Sequence, residues 1–584
     1  MLNTHTKTIP LLKRLVKEAV APYSTQLALA IFCMLIVAAT TAGLAWLMDP
    51  VVNQVFVEKR SDLLWLIGGA VFAVFLTKGL ATYCQTVIMA GVGQNVLMDM
   101  QNRLFAHLMT QDLLFFKTTS SGELMSRFSA DITMMRQAVS TALTGIGKDF
   151  FSLIFLVIVM FFQDWLLALI AVFVFPATVV PITSLGRRLR HVTADTQAET
   201  GVLMNELQQT FTSIQLIQSF GMQVAQMLRI SAMVAKIRNM HLRAEKVKAI
   251  SSPLMETVGG VAVTIVIVYG GWRVINDTTT PGAFFSFITA LLMAYRPIKA
   301  LANLNSQIQQ GLAGAERLFS VLDTKPNVVE QENAKELICN NGRIIFRDVN
   351  FTYPDGSVGV KNLNFVCESG SVTAFVGPSG SGKTTLLNLI IRLFDIDSGS
   401  IQIDDNDITD LTFSSLRNNV GVVSQDMDLF NDTVMNNIRM GNPHASEQEV
   451  QEAATLAGAD SFIHNLSYGY NTIVGERGKN LSGGERQRIC IARAALKKPK
   501  ILLLDEATNS LDSETGKYVQ SSIGAMNSNC TSILVAHDLS SIQHANCIHV
   551  LTNGEISESG THSELINKNG KYAMLYRNHI AETQ

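Results

Sequence analysis

The stretch Gly377-Pro-Ser-Gly-Ser-Gly-Lys383-Thr384-Thr385 has the spacing of a loop that closes around phosphate groups. Its glycines let backbone N–H groups turn inward, Lys383 reaches terminal phosphates, and Thr384 offers a hydroxyl to Mg²⁺. The residues expected to touch a nucleoside triphosphate here are Gly377, Ser379, Gly380, Ser381, Gly382, Lys383, Thr384 and Thr385.

Downstream, Leu502-Leu503-Leu504-Asp505-Glu506 is an apolar strand ending in two acids. Asp505 at the strand tip is placed to hold Mg²⁺ or its water shell, and Glu506 to polarise an attacking water. Two adjacent surface acids would look the same in isolation, but a phosphate loop upstream makes the pairing chemical. Ser482-Gly483-Gly484 then opens a long helix with bare backbone. Such an end presents N–H groups and a positive dipole to an anion. An ordinary serine N-cap gives the same short pattern.

The elements that must position these groups read as strands alternating with helices. Arg343–Tyr353, Val372–Val376 and Ile501–Leu504 read as strands, and Thr384–Leu393 as the helix after the phosphate loop. Alternation of this kind gives a mostly parallel α/β sheet flanked by helices.

The first half of the chain is built for lipid. Apolar runs lie at about Leu27–Met48, Leu63–Val92, Phe150–Phe162, Trp165–Leu185, Leu254–Ile275 and Ala283–Ala302. A hydrocarbon core needs roughly 20 apolar residues per helix, so six spans fit. The third reaches that length only by including 138–148. The segment 187–252 carries nine Lys and Arg, whereas 276–282 carries none. By the positive-inside rule both termini and the two long loops are cytoplasmic. Those loops hold few Gly or Pro, so they read as helices continuing beyond the bilayer. The N-terminus lacks the pattern of a cleaved signal peptide.

Charge divides the same way. Residues 1–330 carry 26 Lys and Arg against 19 Asp and Glu, and the remainder 20 against 29. An acidic soluble half argues against nucleic-acid binding. The seven cysteines are scattered without ligand spacing and read as free thiols.

In order along the chain stand Tyr353 in Phe-Thr-Tyr-Pro, the phosphate loop, Gln425, Gly475-Glu476-Arg477-Gly478, Leu481–Glu485, Asp505-Glu506, Asp512 and His537. With this set the chain resembles an ATP-binding cassette (ABC) transporter, specifically a bacterial half-exporter. The resemblance implies a six-helix all-α membrane domain with long cytoplasmic extensions (1–323), a linker (324–341) and an ATPase domain (342–584). The latter would have a RecA-like core with antiparallel and helical subdomains. It implies ATP and Mg²⁺ as cofactors, with Thr384, Gln425 and Asp505 around the metal. Tyr353 would stack on adenine, Glu506 would be the general base, and His537 would contact the γ-phosphate. Asp512 would lie at the nucleotide. Ser482, Gly483 and Gly484 would reach ATP bound to the other subunit, so a homodimer is implied. The family usually has Gln where Glu485 stands, so the extra carboxylate either weakens nucleotide affinity or sits in a salt bridge. The tips at 115–127 and near 211–221 would rest on nucleotide-binding domains.

Lys78, Lys148 and Lys299 are cations in apolar surroundings. Ionisable residues in spans usually face the interior and mark a substrate path; near helix ends they also snorkel. Within the resembled family, these positions match basic residues of lipid exporters. The expected cargo is therefore lipid A or a related phosphoglycolipid, moved outward across a bacterial inner membrane. A multidrug or peptide exporter is the alternative. Intact Lys383, Glu506 and His537 argue against an ATP-gated channel with dead sites, and the spans exclude a soluble cassette.

Overall fold

The fold is described from a computed structural model. It covers the backbone of residues 5–276, 278–505, 524, 530–536, 539 and 542–583. Side chains are described over the same stretches except 5–9, 172–194, scattered positions between 248 and 306, and 579–583. The chain divides into two compact units: residues 1–109 with 121–324, and residues 110–120 with 325–584.

The first unit is helical: α1 (His5–Leu15), α2 (Ser24–Pro50), α3 (Ser61–Met109), α5 (Ser121–Ser126), α6 (Ile132–Thr144), α7 (Phe151–Gln163), α8 (Trp165–Thr212), α9 (Ile214–Ser219), α10 (Gln223–Ile275) and α11 (Pro281–Leu322). A short helix, α4 (Leu113–Thr118), falls in the second unit. At 1.5 Å per residue, the 49 residues of α3 run about 70 Å, roughly twice a hydrocarbon core. That length is why the polar loops read from sequence are helical continuations of the spans. Among the described residues, four helices are long and apolar enough to cross a membrane: Pro10–Val57, Ser61–Met109, Ser121–Gln163 and Pro281–Leu301. The third of these runs through α6, a wider turn at Gly145–Phe150 and α7. The remaining two expected runs lie in α8 and α10, where many side chains fall outside the described residues.

Ion pairs fix helix register where apolar packing alone would slide. The Arg14 guanidinium forks onto both oxygens of Asp323 at 2.6 and 2.7 Å and reaches Glu18 at 2.8 Å. Arg103 on α3 closes the set on Glu18 at 2.6 Å. A bidentate fork of this kind is geometrically selective, so it ties α1 to the far end of α11. Deeper, buried Asp131 accepts from Arg317 of α11 at 2.5 Å and from Arg127 at 2.9 Å.

The second unit holds two sheets. An antiparallel sheet orders β2 (Val358–Cys367), β1 (Ile344–Thr352), β4 (Ser398–Ile403) and β5 (Asn406–Asp407). The other orders β10 (Glu555–Gly560), β9 (Cys547–Thr552), β3 (Val372–Val376), β8 (Thr531–Val535), β7 (Ile501–Asp505) and β6 (Val420–Val423). All of its pairings are parallel except β10 with β9. β7 and β8 are buried at every residue, which is why they read as unbroken apolar runs rather than alternating ones. Helices α12 (Lys383–Ile390), α13 (Phe413–Asn419), α14 (Val434–Arg439), α15 (Glu447–Leu456), α16 (Asp460–Asn465) and α17 (Gly483–Leu496) complete the described framework.

Candidate nucleotide site and membrane cation cluster

The carboxyl ends of β3 and β7 carry the phosphate loop and Asp505, with β8 between them. Open α/β sheets bind ligands at this end, where strand order reverses. In the loop, Gly377, Gly380 and Gly382 have φ of 153°, 77° and 100°. A Cβ at Gly377 would strike the Leu551 carbonyl oxygen, and one at Gly382 the Gly359 carbonyl oxygen. Only glycine lets the loop curl this tightly. Gly382 is then the left-handed entry to α12.

Lys383 is buried, and its ammonium donates to the carbonyls of Gly377 and Pro378, both at 2.9 Å. The cation is thus held inside the curl by its own loop. The buried Ser381 hydroxyl has no hydrogen-bond partner among the described residues, an arrangement that a phosphate oxygen would satisfy. Ser379, Gly380 and Thr384 are exposed at the mouth.

Thr385 differs from the other loop residues. It is buried, and its hydroxyl lies 2.9 Å from the Tyr353 phenol oxygen. The pair pins the aromatic ring of Tyr353 to the helix that starts at the phosphate loop. The ring also meets Phe351 edge-to-face at 4.9 Å and Phe394 at 5.7 Å. Asp505 is buried at the tip of β7, and Gln425 is exposed just beyond β6. Glu506, Asp512 and His537 lie outside the described residues.

Ser482 caps α17 in a reciprocal pattern. Its hydroxyl accepts from the Glu485 N–H at 3.3 Å, while the Glu485 carboxylate accepts from the Ser482 N–H at 2.7 Å and the hydroxyl at 2.9 Å. Of the two fates open to the Glu485 carboxylate in the sequence, the salt bridge is not the contact seen here, which is a helix cap. The carboxylate forms no ion pair among the described residues, because the helix end beside it already supplies N–H donors. The sequence held the signal: Ser-x-x-Glu before an apolar run is a capping box.

In the first unit, Lys78 of α3 is half-buried, and the charges acting on it come from Lys148 and Arg296. Arg296 and Lys299 are both exposed, and Lys299 is not among those charges. Arg296 was missed in the sequence because it stands one helical turn before Lys299 on α11, and spacing alone does not say which of the two charges acts on Lys78.

The fold and these motifs have counterparts. The family model described as "ABC transporter transmembrane region" matches residues 27–298, and that described as "ABC transporter" matches residues 360–509. The chain is 44% identical over 97% of its length, and 94% of the relative's, to a protein of Syntrophus aciditrophicus named ATP-dependent lipid A-core flippase. A protein of Desulfotalea psychrophila with the same name is 41% identical over 97% of this chain and 99% of its own. Among solved structures, a bacterial Atm1-family ABC exporter with ATP bound is similar with a TM-score of 0.83 and 28% identity, covering 95% of this chain and 99% of that one. The chain belongs to the ABC transporter family, with a helical membrane domain fused ahead of an α/β nucleotide-binding domain. It is a multi-pass membrane protein that couples ATP hydrolysis to transport.

Proposed function

We propose that the protein is a homodimeric exporter of a bacterial inner membrane that moves a phosphorylated glycolipid of the lipid A type outward. The observation carrying the cargo is half-buried Lys78 on the apolar helix α3, on which the charges of Lys148 and Arg296 act. Like charges gathered in such surroundings repel one another and are poorly solvated, so an anionic headgroup between them would relieve both costs. Acyl chains would lie along the apolar helix faces. The names of the relatives point to the same chemistry.

At the nucleotide, Lys383 and the loop N–H groups hold the phosphates and Tyr353 stacks on the base. Mg²⁺ fits the donor set, because Thr384 and Asp505 are both oxygen ligands, which hard cations prefer. Thr384, Asp505 and Gln425 would share the ion with substrate phosphates. When bound, Mg²⁺ neutralises charge on the phosphate oxygens. Glu506 accepts the proton of the attacking water, and His537 and Asp512 orient the terminal phosphate and the base. Ser482, Gly483 and Gly484 close the site from the partner subunit.

The test is stimulation of ATPase activity by lipid A and by a neutral amphiphile, across single, double and triple Ala variants of Lys78, Lys148 and Arg296. A charged hydrogen bond is worth about 1.5–3 kcal/mol, so lipid A stimulation should fade stepwise while the neutral amphiphile is little affected. Equal loss for both ligands would mean damaged packing. Full stimulation by lipid A in the triple variant would favour a multidrug or peptide exporter.

A further inference from the structure

The base-stacking ring has a neighbour that no nucleotide motif contains. Lys117 Nζ stands over the Tyr353 ring, 5.7 Å from its centroid, and over the Phe394 ring at 5.5 Å. A cation within about 6 Å of an aromatic centroid is attracted by the ring's negative face. Tyr353 and Phe394 stand nearly perpendicular to one another at 79°, so the ammonium occupies the notch between two ring faces. Among the described residues no carboxylate forms an ion pair with Lys117, which leaves the two rings as its partners.

The helix bearing Lys117 is held firmly enough to make this placement specific. Leu113 and Leu114 of α4 pack against the apolar cluster that includes Phe351, Phe394 and the partly buried Tyr353. Asp112 caps α4 by accepting from the Phe115 N–H at 2.9 Å. Its second oxygen accepts from the backbone N–H of Asn327 at 2.6 Å and from the Asn327 side chain at 3.0 Å. Lys117 is therefore carried on a capped helix seated beside the Tyr353 ring, more than 200 residues away in sequence.

We propose that Lys117 is a nucleotide-positioning residue. It takes one face of Tyr353, so that the purine stacks on the other face and the ring lies between cation and base. The proposal rests on the reading of Tyr353 as the base-stacking residue. With the hydroxyl tied to Thr385 and the ring nearly perpendicular to those of Phe351 and Phe394, the ammonium fixes which face the ring presents. ATP affinity then includes a base-dependent part that requires Lys117, whereas the phosphate-dependent part does not. The residue is supplied by the segment joining α3 to α5, the two membrane-unit helices that flank it in sequence, so base binding and that connector are linked through one side chain.

The experiment uses the intact homodimer in lipid nanodiscs. The KM for ATP and the inhibition constant of tripolyphosphate, which lacks the base, are measured for Lys117→Met, Lys117→Arg, Tyr353→Ala and Lys117→Met/Tyr353→Ala. Lys117→Met should raise the KM for ATP by roughly two- to five-fold, the value of an exposed cation–π contact, and leave tripolyphosphate inhibition unchanged. Lys117→Arg should restore it. Lys117→Met should add nothing in the Tyr353→Ala background. A lower KM in Lys117→Met would overturn the proposal, because the ammonium would then compete with the base. Equal weakening toward ATP and tripolyphosphate, or full additivity with Tyr353→Ala, would overturn it as mere structural support. If Tyr353→Ala weakens ATP and Lys117→Met does not, only the role of Lys117 falls. If Tyr353→Ala leaves the KM unchanged, the base-stacking reading falls and takes the proposal with it.

Discussion

Glu485 holds both the backbone N–H and the hydroxyl of Ser482 at the start of α17. Its carboxylate accepts the Ser482 backbone N–H at 2.7 Å and the hydroxyl at 2.9 Å. A phosphate oxygen arriving at the same helix end must take over these donors from an anion of the same sign. The acid also stabilises α17, since a carboxylate near a helix N-terminus contributes about 0.3–1 kcal/mol.

Glu485→Gln keeps the capping shape and removes the charge. The expected outcome is a lower KM for ATP, by roughly two- to ten-fold if the displaced contact is worth one hydrogen bond of about 0.5–1.5 kcal/mol. A slightly lower melting temperature should accompany it. ATPase kinetics with a thermal melt on the same preparation check both. An unchanged KM would mean that phosphate binds without disturbing the cap.

The phosphate loop was legible because backbone geometry dictates its residue types: positions at positive φ, such as Gly380 and Gly382, select glycine wherever the loop occurs. The strands β3 and β7 were legible as short buried apolar runs ended by a turn signal or a charge. Lys117 was not, because nothing local marks it; its place depends on α4 packing beside a ring far along the chain. Arg296 was hidden for a related reason. A helix bearing cations at 296 and 299 offers two candidates, and spacing does not say that the charge of Arg296 acts on Lys78.

The homodimer reading makes a complementation prediction. Ser482→Arg chains and Lys383→Ala chains should each form inactive homodimers, one lacking the contribution in trans and the other the phosphate cation. Mixed and purified as heterodimers with two affinity tags, they should recover part of the wild-type ATPase, because one composite site is then intact. Folded heterodimers without activity would argue against Ser482 acting across the subunit boundary.

Within the membrane unit, a single carboxylate closes three elements. Asp164 is buried between α7 and α8, where it caps α8 by accepting from the N–H groups of Leu166 at 3.1 Å and Leu167 at 3.2 Å. Its second oxygen pairs with Arg273 of α10 and accepts from Thr279 at 3.2 Å. Removing one partner of a buried ion pair costs about 3–5 kcal/mol, because the other charge is stranded. Asp164→Asn should therefore lower the thermal inactivation temperature while retaining the cap, and Asp164→Ala should lower it further. Asp164→Asn/Arg273→Gln should recover part of the loss. Equal melting of the Asn and Ala variants would show that the cap contributes nothing.

His549 makes the nucleotide-binding unit sensitive to acid. It lies buried on β9, opposite Phe375 of β3, with its ring 5.1 Å from that of Phe375 and 5.5 Å from that of Phe365. Nδ1 lies 2.7 Å from the Ser559 hydroxyl. Burial among these rings disfavours the imidazolium and pushes the His549 pKa down to about 4. The unfolded chain, with an ordinary histidine near 6.5, binds the proton more readily. Stability from this group is thus complete above about pH 6.5, falls as the pH drops toward 4, and changes no further below that, where both states are protonated. A shift of this size corresponds to about 3 kcal/mol over the window. Melting of the intact protein should move to lower temperature between pH 7 and pH 5, with hydrogen exchange in β3 and β9 rising in step. His549→Gln should start less stable at pH 7 because its fit between the rings is poorer. Its melting temperature should nevertheless depend less on pH over the same interval. An identical pH slope in that variant would place the acid sensitivity elsewhere.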